Sequence, residues 1–137
     1  MGSTTELVDR YVAVWNEPDQ ELRRKIIREL WTEDGAQILQ PPREMAEEAS
    51  RLGFSSILRA RGHDELEVRV ARAHEEFVVG GQFLFRRRDE GARLLDVVKF
   101  SWEMVSARSG EVAGVGVEIL LLDVDGRIRL DYQFIEG

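Results

Sequence analysis

The chain has no cysteine and only two histidines among its 137 residues. The lack of cysteine excludes disulfides, thiolate nucleophiles, iron–sulfur clusters and cysteine-ligated zinc. Two histidines are too few for a histidine-rich metal site. No glycine-rich phosphate loop and no Gly-x-Ser-x-Gly motif is present either. We therefore expect a protein that works without a metal or other cofactor.

Positive charge is also in short supply. Lysine and arginine number 19 against 26 acidic residues, a net charge of −7, whereas a nucleic-acid binder needs a basic surface. The run Arg86-Arg87-Arg88 precedes the turn Asp89-Glu90-Gly91 and is typical of a solvated strand end. No apolar run approaches the ~20 residues that span a bilayer, and no secretory signal is evident. We expect no nucleic-acid or membrane partner, and a cytoplasmic location.

The composition that is present favours a folded core. Hydrophobic residues make up 43% of the chain and charged residues 33%, at a length typical of one domain. We expect residues 1–137 to form a single domain. Its first half is rich in helical patterns and its second half in strand patterns, which indicates an α+β fold.

The helical half is defined by apolar residues that recur on one helical face, such as Leu7, Tyr11 and Trp15. Asn16-Glu17-Pro18 ends this first helix, because the residue before proline avoids the helical region. A turn is predicted at Trp31–Gly35 and a short strand at Phe54–Arg61. The other predicted elements are helices at about Thr5–Trp15, Asp19–Leu30, Arg43–Leu52 and after Gly62, and a strand at Ala36–Gln40.

The second half predicts four strands joined by short turns, an antiparallel meander. Alternation places Phe100 and Trp102, together with Asp96, on the inner face of the second strand, and Gly116 and Glu118 on the inner face of the third. The predicted strands are about Gln82–Arg88, Arg93–Ser106, Glu111–Asp123 and Arg127–Ile135.

The third of these strands predicts a pocket and an interface. Glycines at 114 and 116 on the inner face indicate either a bend of the sheet or the close approach of a ligand. Burying the carboxylate of an inward Glu118 is costly unless it is paired, hydrogen-bonded or protonated. Glu118 is therefore either a functional carboxyl or part of a structural ion pair, unless the strand register turns it towards water. The outer face is apolar as well, which predicts a homodimer packed through it. Its residues are Ala113, Val115, Val117, Ile119 and Leu121.

Three segments in this order, Leu7–Asn16, Leu30–Ala36 and Val124–Phe134, resemble the opening and the close of the SnoaL-like, nuclear transport factor 2-like superfamily. The resemblance implies a cone-shaped α+β barrel, in which three N-terminal helical segments pack on a curved antiparallel sheet around a deep cavity. Members include ketosteroid isomerases, polyketide cyclases, dehydratases, epoxide hydrolases and non-catalytic binding modules, and many are dimers. The fold alone does not settle the function.

The resemblance to ketosteroid isomerases implies roles for single residues. Tyr11 falls at the position of a helix tyrosine and Glu118 at that of a strand acid, which together stabilise an oxyanion in those enzymes. Gln40 falls where their base lies, and an amide cannot accept a proton at neutral pH. Asp96 or His74 could move the proton instead. Asp96 could equally pair with an arginine such as Arg86, and His74 could serve a helix C-terminus.

The first function hypothesis is a cofactor-free enzyme acting on a small apolar carbonyl compound, polyketide-like or terpenoid-like. Its chemistry would be enolisation-driven isomerisation, cyclisation or dehydration in an internal cavity. The alternative is a non-catalytic small-ligand-binding module, and a third hypothesis is a structural dimerisation domain whose aromatic residues fill the cone. Gln40 could orient a substrate carbonyl or bind the backbone. The predicted ligand-binding residues are Trp15, Gln40, Phe100, Trp102 and Gly116.

Overall fold

The computed structural model describes residues 3–136. It contains four α-helices, a π-helical segment and seven strands within those residues. The helices are α1 (Thr4–Asn16), α2 (Gln20–Leu30), α3 (Arg43–Arg51) and α4 (Gly62–Ala73), which continues as the π-helical segment His74–Gly80. The strands are β1 (Trp31–Leu39), β2 (Leu58–Arg61), β3 (Phe83–Arg87), β4 (Ala92–Leu94), β5 (Val97–Ser106), β6 (Val112–Leu122) and β7 (Ile128–Glu136).

The first two helices begin at side-chain caps. Ser3 Oγ accepts from the backbone N–H of Glu6 at 3.1 Å, and Asp19 Oδ1 accepts from that of Glu21 at 2.9 Å. Such caps satisfy the free donors of a helix N-terminus. The predicted bounds of both helices are confirmed to within one residue, because proline and caps are local signals.

The sheet is open and has the order β2-β1-β7-β6-β5-β3, with β4 paired to β5. All paired strands are antiparallel except β1 and β7. The long strands β5, β6 and β7 form the predicted meander, and β1 joins it after the chain has crossed the helical half. The α+β fold with helices packed on one side of a curved, mainly antiparallel sheet is confirmed.

Two local predictions are wrong. The segment Trp31–Gly35 is the first half of β1, whose pairing with β7 is irregular between Trp31 and Ala36. The predicted strand Arg93–Ser106 is broken by a turn at Leu95, where φ is +54°, so that β4 folds back on β5. The alternation of side chains between the two faces can be counted straight through a two-residue turn. The sequence pattern therefore gave no sign that the strand is broken there.

The hydrophobic core lies where α1, α2 and α4 cover one end of the inner sheet face. Trp31 and Phe100 are fully buried there, and the ring of Tyr11 packs edge-on against Phe100 at 5.3 Å between centroids. The core continues through buried aliphatic residues, Val8, Val14, Ile27, Leu30, Leu66, Val70, Val98, Leu120, Leu122 and Ile128. Among the described helices, none is long and apolar enough to cross a membrane.

Candidate functional site

A cavity of about 590 Å³ lies between α1, α4 and the far end of the inner sheet face. Its volume is within the range of small-molecule sites. The walls are mostly apolar, and the few polar groups gather on one side of them, around Glu118, Arg69 and Gln133. The main apolar lining residues are Val12, Trp15, Leu39, Leu58, Ala73, Phe77, Phe85, Trp102, Met104 and Ile135.

Three of the five predicted ligand-binding residues line this cavity, namely Trp15, Gln40 and Trp102. Gln40 lies exposed at the mouth, where its Oε1 accepts from the backbone N–H of Ile135 at 2.9 Å, as the backbone-binding alternative predicted. Phe100 does not line the cavity, because Tyr11 packs over it and leaves it 1% exposed.

Gly116 does not line the cavity either. A Cβ at this position would lie 2.2 Å from Cζ2 of Trp102. The glycine therefore makes room for the indole ring of a neighbouring strand, and the predicted close approach of a ligand is wrong at this position. Gly114, one step along the inner face, does reach the cavity.

Glu118 lies on the inner face, as alternation predicted, and lines the cavity although its side chain is fully buried. Its Oε1 accepts two hydrogen bonds, from Trp102 Nε1 at 3.0 Å and from Gln133 Nε2 at 2.7 Å. The cross-strand pairs position these donors, because β7 places Gln133 directly opposite Glu118.

A second buried acid, Asp131, accompanies Glu118 and was not predicted. Its Oδ2 accepts from the hydroxyl of Tyr11 at 2.6 Å and from Gln37 Nε2 at 3.1 Å. The hydroxyl of Tyr11, which was predicted to stabilise an oxyanion together with Glu118, therefore donates to Asp131 in this structure. Burial, followed by the negative charge of Asp131, raises the pKa of Tyr11 well above its ordinary value, so the phenol stays neutral and donates.

The two acids are diagonal neighbours on one face, because Glu118 pairs with Gln133 and Asp131 with Leu120. Each has one oxygen with two donors, whereas Glu118 Oε2 and Asp131 Oδ1 have no other partner within residues 3–136. Burial, the charge of Asp131 and a hydrogen bond between the two carboxyls raise the pKa of Glu118 well above its ordinary value. A proton carried by one acid and donated to the other would satisfy both oxygens.

The proton belongs to Glu118. Burial raises the pKa of Asp131 too, but its bonds from Glu118, Tyr11 and Gln37 and the charge of Arg69 act in the opposite direction. Asp131 is thus the better-stabilised carboxylate of the pair. Glu118, which lines the cavity, is the carboxylic acid that a ligand would meet.

Arg69 of α4 completes the polar cluster. Its Nε donates to Gln37 Oε1 at 3.1 Å and its Nη2 to Gln133 Oε1 at 3.3 Å, while the guanidinium lies 5.2 Å from the ring centroid of Trp15. Each glutamine accepts from Arg69 and donates to a carboxyl oxygen. The arginine therefore fixes which way both amides point.

The other two predicted catalytic residues lie elsewhere. Asp96 is exposed in the β4–β5 turn, 3.6 Å from Arg129, so its predicted inward position is wrong. Its predicted partner Arg86 binds Glu103 at 2.7 Å instead. His74 is buried with Nδ1 3.0 Å from the backbone oxygen of Trp15, and does not line the cavity.

The four residues that were missed carried only a weak signal. In the predicted strand Arg127–Ile135, alternation would have placed Asp131 and Gln133 on one face. Gln37 lies in the second half of β1, and Arg69 lies on a helix distant in sequence from either acid. Their convergence depends on how α4 packs across the sheet. Within residues 3–136, no group of three or more histidine or acidic side chains is placed to hold a metal ion.

Comparison with known proteins identifies the fold. No family model and no curated protein sequence matches the chain. A solved SnoaL-like protein from Agrobacterium tumefaciens C58 superposes with a TM-score of 0.77 at 20% identity over 96% of both chains. A SnoaL-like protein from Burkholderia thailandensis E264 superposes with a TM-score of 0.63 at 14% identity, over 98% of this chain and 94% of that one.

A third solved structure agrees with these two. A nuclear transport factor 2-like protein from Exiguobacterium sp. 255-15 gives a TM-score of 0.60 at 16% identity over 96% of this chain and 98% of that one. The chain therefore has the fold of the SnoaL-like, nuclear transport factor 2-like proteins, as the sequence motifs predicted. Similarity at these identities shows a fold, and the chemistry must be argued from the site.

Proposed function

We propose that the protein is a cofactor-free enzyme that acts on a small, mostly apolar carbonyl compound, with Glu118 as its proton donor. The observation that supports this most directly is a carboxylic acid on the wall of an apolar cavity, whose pKa is raised by its burial and by the charge of its neighbour Asp131. Strongly shifted acids that line a cavity are typical of catalytic sites.

The chemistry is enolisation, the common first step of isomerisation, cyclisation and dehydration of such compounds. When the substrate binds, Glu118 turns its proton from Asp131 to the substrate's carbonyl oxygen. This hydrogen bond stabilises the negative charge that develops there as the neighbouring C–H bond breaks. Glu76, at the mouth, is the other carboxyl on the cavity lining and is the candidate base. Tyr11 acts through Asp131, to which its hydroxyl donates at 2.6 Å.

Two further observations support this reading. The solved relative from Agrobacterium tumefaciens is provisionally described as an isomerase. The resemblance of the sequence to ketosteroid isomerases and polyketide cyclases points to the same kind of carbonyl chemistry. A protonated acid that donates to an enolate oxygen is a known device for it.

The proposal is tested by proton exchange. 2-Tetralone, an apolar ketone with acidic α-hydrogens, is incubated with the protein in D₂O, and the loss of its α-proton signal is followed by NMR. We expect the protein to accelerate exchange, and Glu118→Gln, which keeps the shape, to lose on the order of a hundredfold of that acceleration. The exposed Asp96→Asn variant should exchange like the wild type. Equal rates for wild type, Glu118→Gln and buffer would exclude enolisation of this class of ketone.

A binding module is the second candidate. It is favoured by the internal satisfaction of the polar cluster, since Tyr11, Gln37, Gln133 and Asp131 all bond to one another or to their neighbours. Such a module would quench Trp15 and Trp102 fluorescence on binding 2-tetralone, with no exchange of its α-protons. The two measurements together separate the two functions.

We also propose that the chain forms a homodimer through the outer sheet face and works in the cytoplasm. The outer face carries contiguous, half-exposed apolar residues paired across strands, such as Ile119 opposite Tyr132 and Val117 opposite Phe134. Contiguous apolar patches of this kind mark interaction surfaces. Light scattering in solution would give the mass directly.

A further inference from the structure

We infer that the free edge of the Arg69 guanidinium is a carboxylate-binding subsite, and that the ligand of the cavity is therefore an apolar carboxylic acid bound as its anion. The inference rests on the proposed role of the cavity as the ligand site. It does not depend on catalysis, and its test measures equilibrium binding alone.

The guanidinium of Arg69 has an unused pair of donors. The donors of a guanidinium lie in one plane and form edges, each able to hold two acceptors side by side. One edge, made by Nε and Nη2, is used by the amide oxygens of Gln37 and Gln133. The side-chain hydrogen bonds of residues 3–136 leave the other edge, made by Nη1 and Nη2, without an acceptor, and Arg69 lines the cavity. Two parallel N–H groups match the two oxygens of a carboxylate.

Arg69 forms no ion pair within residues 3–136, whereas eight other arginines do. Asp131 is reached only through the amide of Gln37. A partly buried guanidinium in an apolar wall gains most from an anion delivered by the ligand.

Arg69 is held in place before a ligand arrives. Two amide acceptors and the face of Trp15, 5.2 Å away, fix the plane of the guanidinium. A donor that is already oriented loses little conformational freedom on binding, and this favours affinity. Apolar lining residues next to it, Val12, Ala73 and Phe77, would hold the body of the ligand.

The nearest rival for the free edge is Glu76, an exposed residue of the same cavity lining whose charge acts on Arg69. If Glu76 closed onto Arg69, the subsite would be filled by the protein itself. A second rival is purely structural, in which Arg69 serves only to orient the two glutamine amides. Both rivals predict that the charge of the ligand does not matter.

The test compares two probes of nearly the same shape. 2-Naphthoate carries a carboxylate, and 2-acetonaphthone replaces one carboxylate oxygen by a methyl group. Binding of each to the full chain is measured at neutral pH by calorimetry and by quenching of tryptophan fluorescence. We expect 2-naphthoate to bind about tenfold or more tightly than 2-acetonaphthone, as charge-assisted hydrogen bonds allow.

Substitution of Arg69 then assigns the effect. Arg69→Met should remove the preference for 2-naphthoate and leave the affinity for 2-acetonaphthone within about threefold of the wild type. Arg69→Lys, which keeps the charge but not the paired donors, should retain part of the preference for 2-naphthoate. Binding of 2-acetonaphthone also shows that each variant still forms the cavity.

Three results would overturn the inference. One is equal affinity of the wild type for the two probes. Another is an equal loss of affinity for both probes in Arg69→Met, which would mean that Arg69 serves only to orient the two glutamine amides. The third is a wild type that binds both probes equally while Glu76→Gln prefers 2-naphthoate. That result would show that Glu76 occupies the free edge of the Arg69 guanidinium. None of these results bears on proton exchange, so a failure here stays distinct from a failure of the proposed enzyme.

Discussion

The two faces of the sheet differ from those of an ordinary half-buried sheet. The face that looks into the protein carries Gln37, Glu118, Asp131 and Gln133 at its centre. The face that looks away carries apolar residues, such as Ile119 opposite Tyr132. An antiparallel sheet with one solvated face would normally have apolar residues inside and polar ones outside.

Each face has the composition that its proposed partner requires. The inner polar residues are satisfied by one another and by Arg69, which is how buried polar groups avoid the cost of desolvation. The outer apolar residues gain only when something covers them. The inner face therefore has the features of a site and the outer one those of the proposed interface, and each half of that comparison can be tested.

The largest expected effect is on stability and comes from the inner face. Asp131→Ala leaves Tyr11, Gln37 and the Glu118 proton without their acceptor, and should lower the free energy of unfolding by about 3–5 kcal/mol. Urea denaturation measures it. The matched control is Asp96→Ala, an acid whose exposed pair with Arg129 should contribute no more than about 0.5 kcal/mol. Similar losses in both variants would mean that the inner cluster is not a cooperative unit.

The next prediction concerns the outer face. The wild type should have twice the chain mass of 15.7 kDa in light scattering. Phe134→Glu places a charge on the proposed interface, since Phe134 is 48% exposed beside Val117, and should shift the protein to monomers because an unpaired charge would be buried. Val124→Glu, in the fully exposed β6–β7 turn, should remain a dimer. A monomeric wild type would leave the apolar face without the partner proposed for it.

A smaller effect on stability is expected at Gly116, on the inner face of the sheet. Gly116→Ala forces Trp102 away from its place above the glycine and should cost about 1–3 kcal/mol, as overpacking does. It should also alter tryptophan emission. Gly114→Ala is the control, because a Cβ there would meet only Met104 Cε at 3.8 Å, and its cost should stay within about 0.5 kcal/mol. Equal costs would show that Trp102 adjusts freely.

The fold was predictable to a large extent because its signals are local. Proline, capping residues and turn glycines bound the helices and strands, and alternation placed Glu118 on the inner face. The same alternation misplaced Asp96, because the turn at Leu95 reverses the chain within two residues. Periodicity gives the face of a residue only while the strand continues.

The site was predictable only in part. Tyr11 and Glu118 were both found, but the acid that Tyr11 binds was not. The pairing of Tyr11 with Asp131 spans 120 positions in the sequence, and the bond of Arg69 to Gln37 joins α4 to β1. Which polar side chains meet depends on helix placement, and one-dimensional patterns carry no information about it.

The smallest and most specific prediction is a pH dependence. The pKa of Glu118 in the folded protein is raised well above the ordinary value of 4.5, so above pH 4.5 the folded state binds a proton that the unfolded state has released. The stability that Glu118 contributes is therefore fully present below that pH and falls as the pH rises towards the folded-state pKa.

Glu118→Gln removes the titrating group and should flatten the dependence of the free energy of unfolding on pH, between about pH 5 and about pH 8. Denaturant unfolding across that range measures it, with Glu111→Gln, an exposed glutamate near the start of β6, as the control for the change of charge. If both variants kept the wild-type slope, Glu118 would be ionised in the folded protein, and both the shared proton and the proposed proton donor would be lost with it.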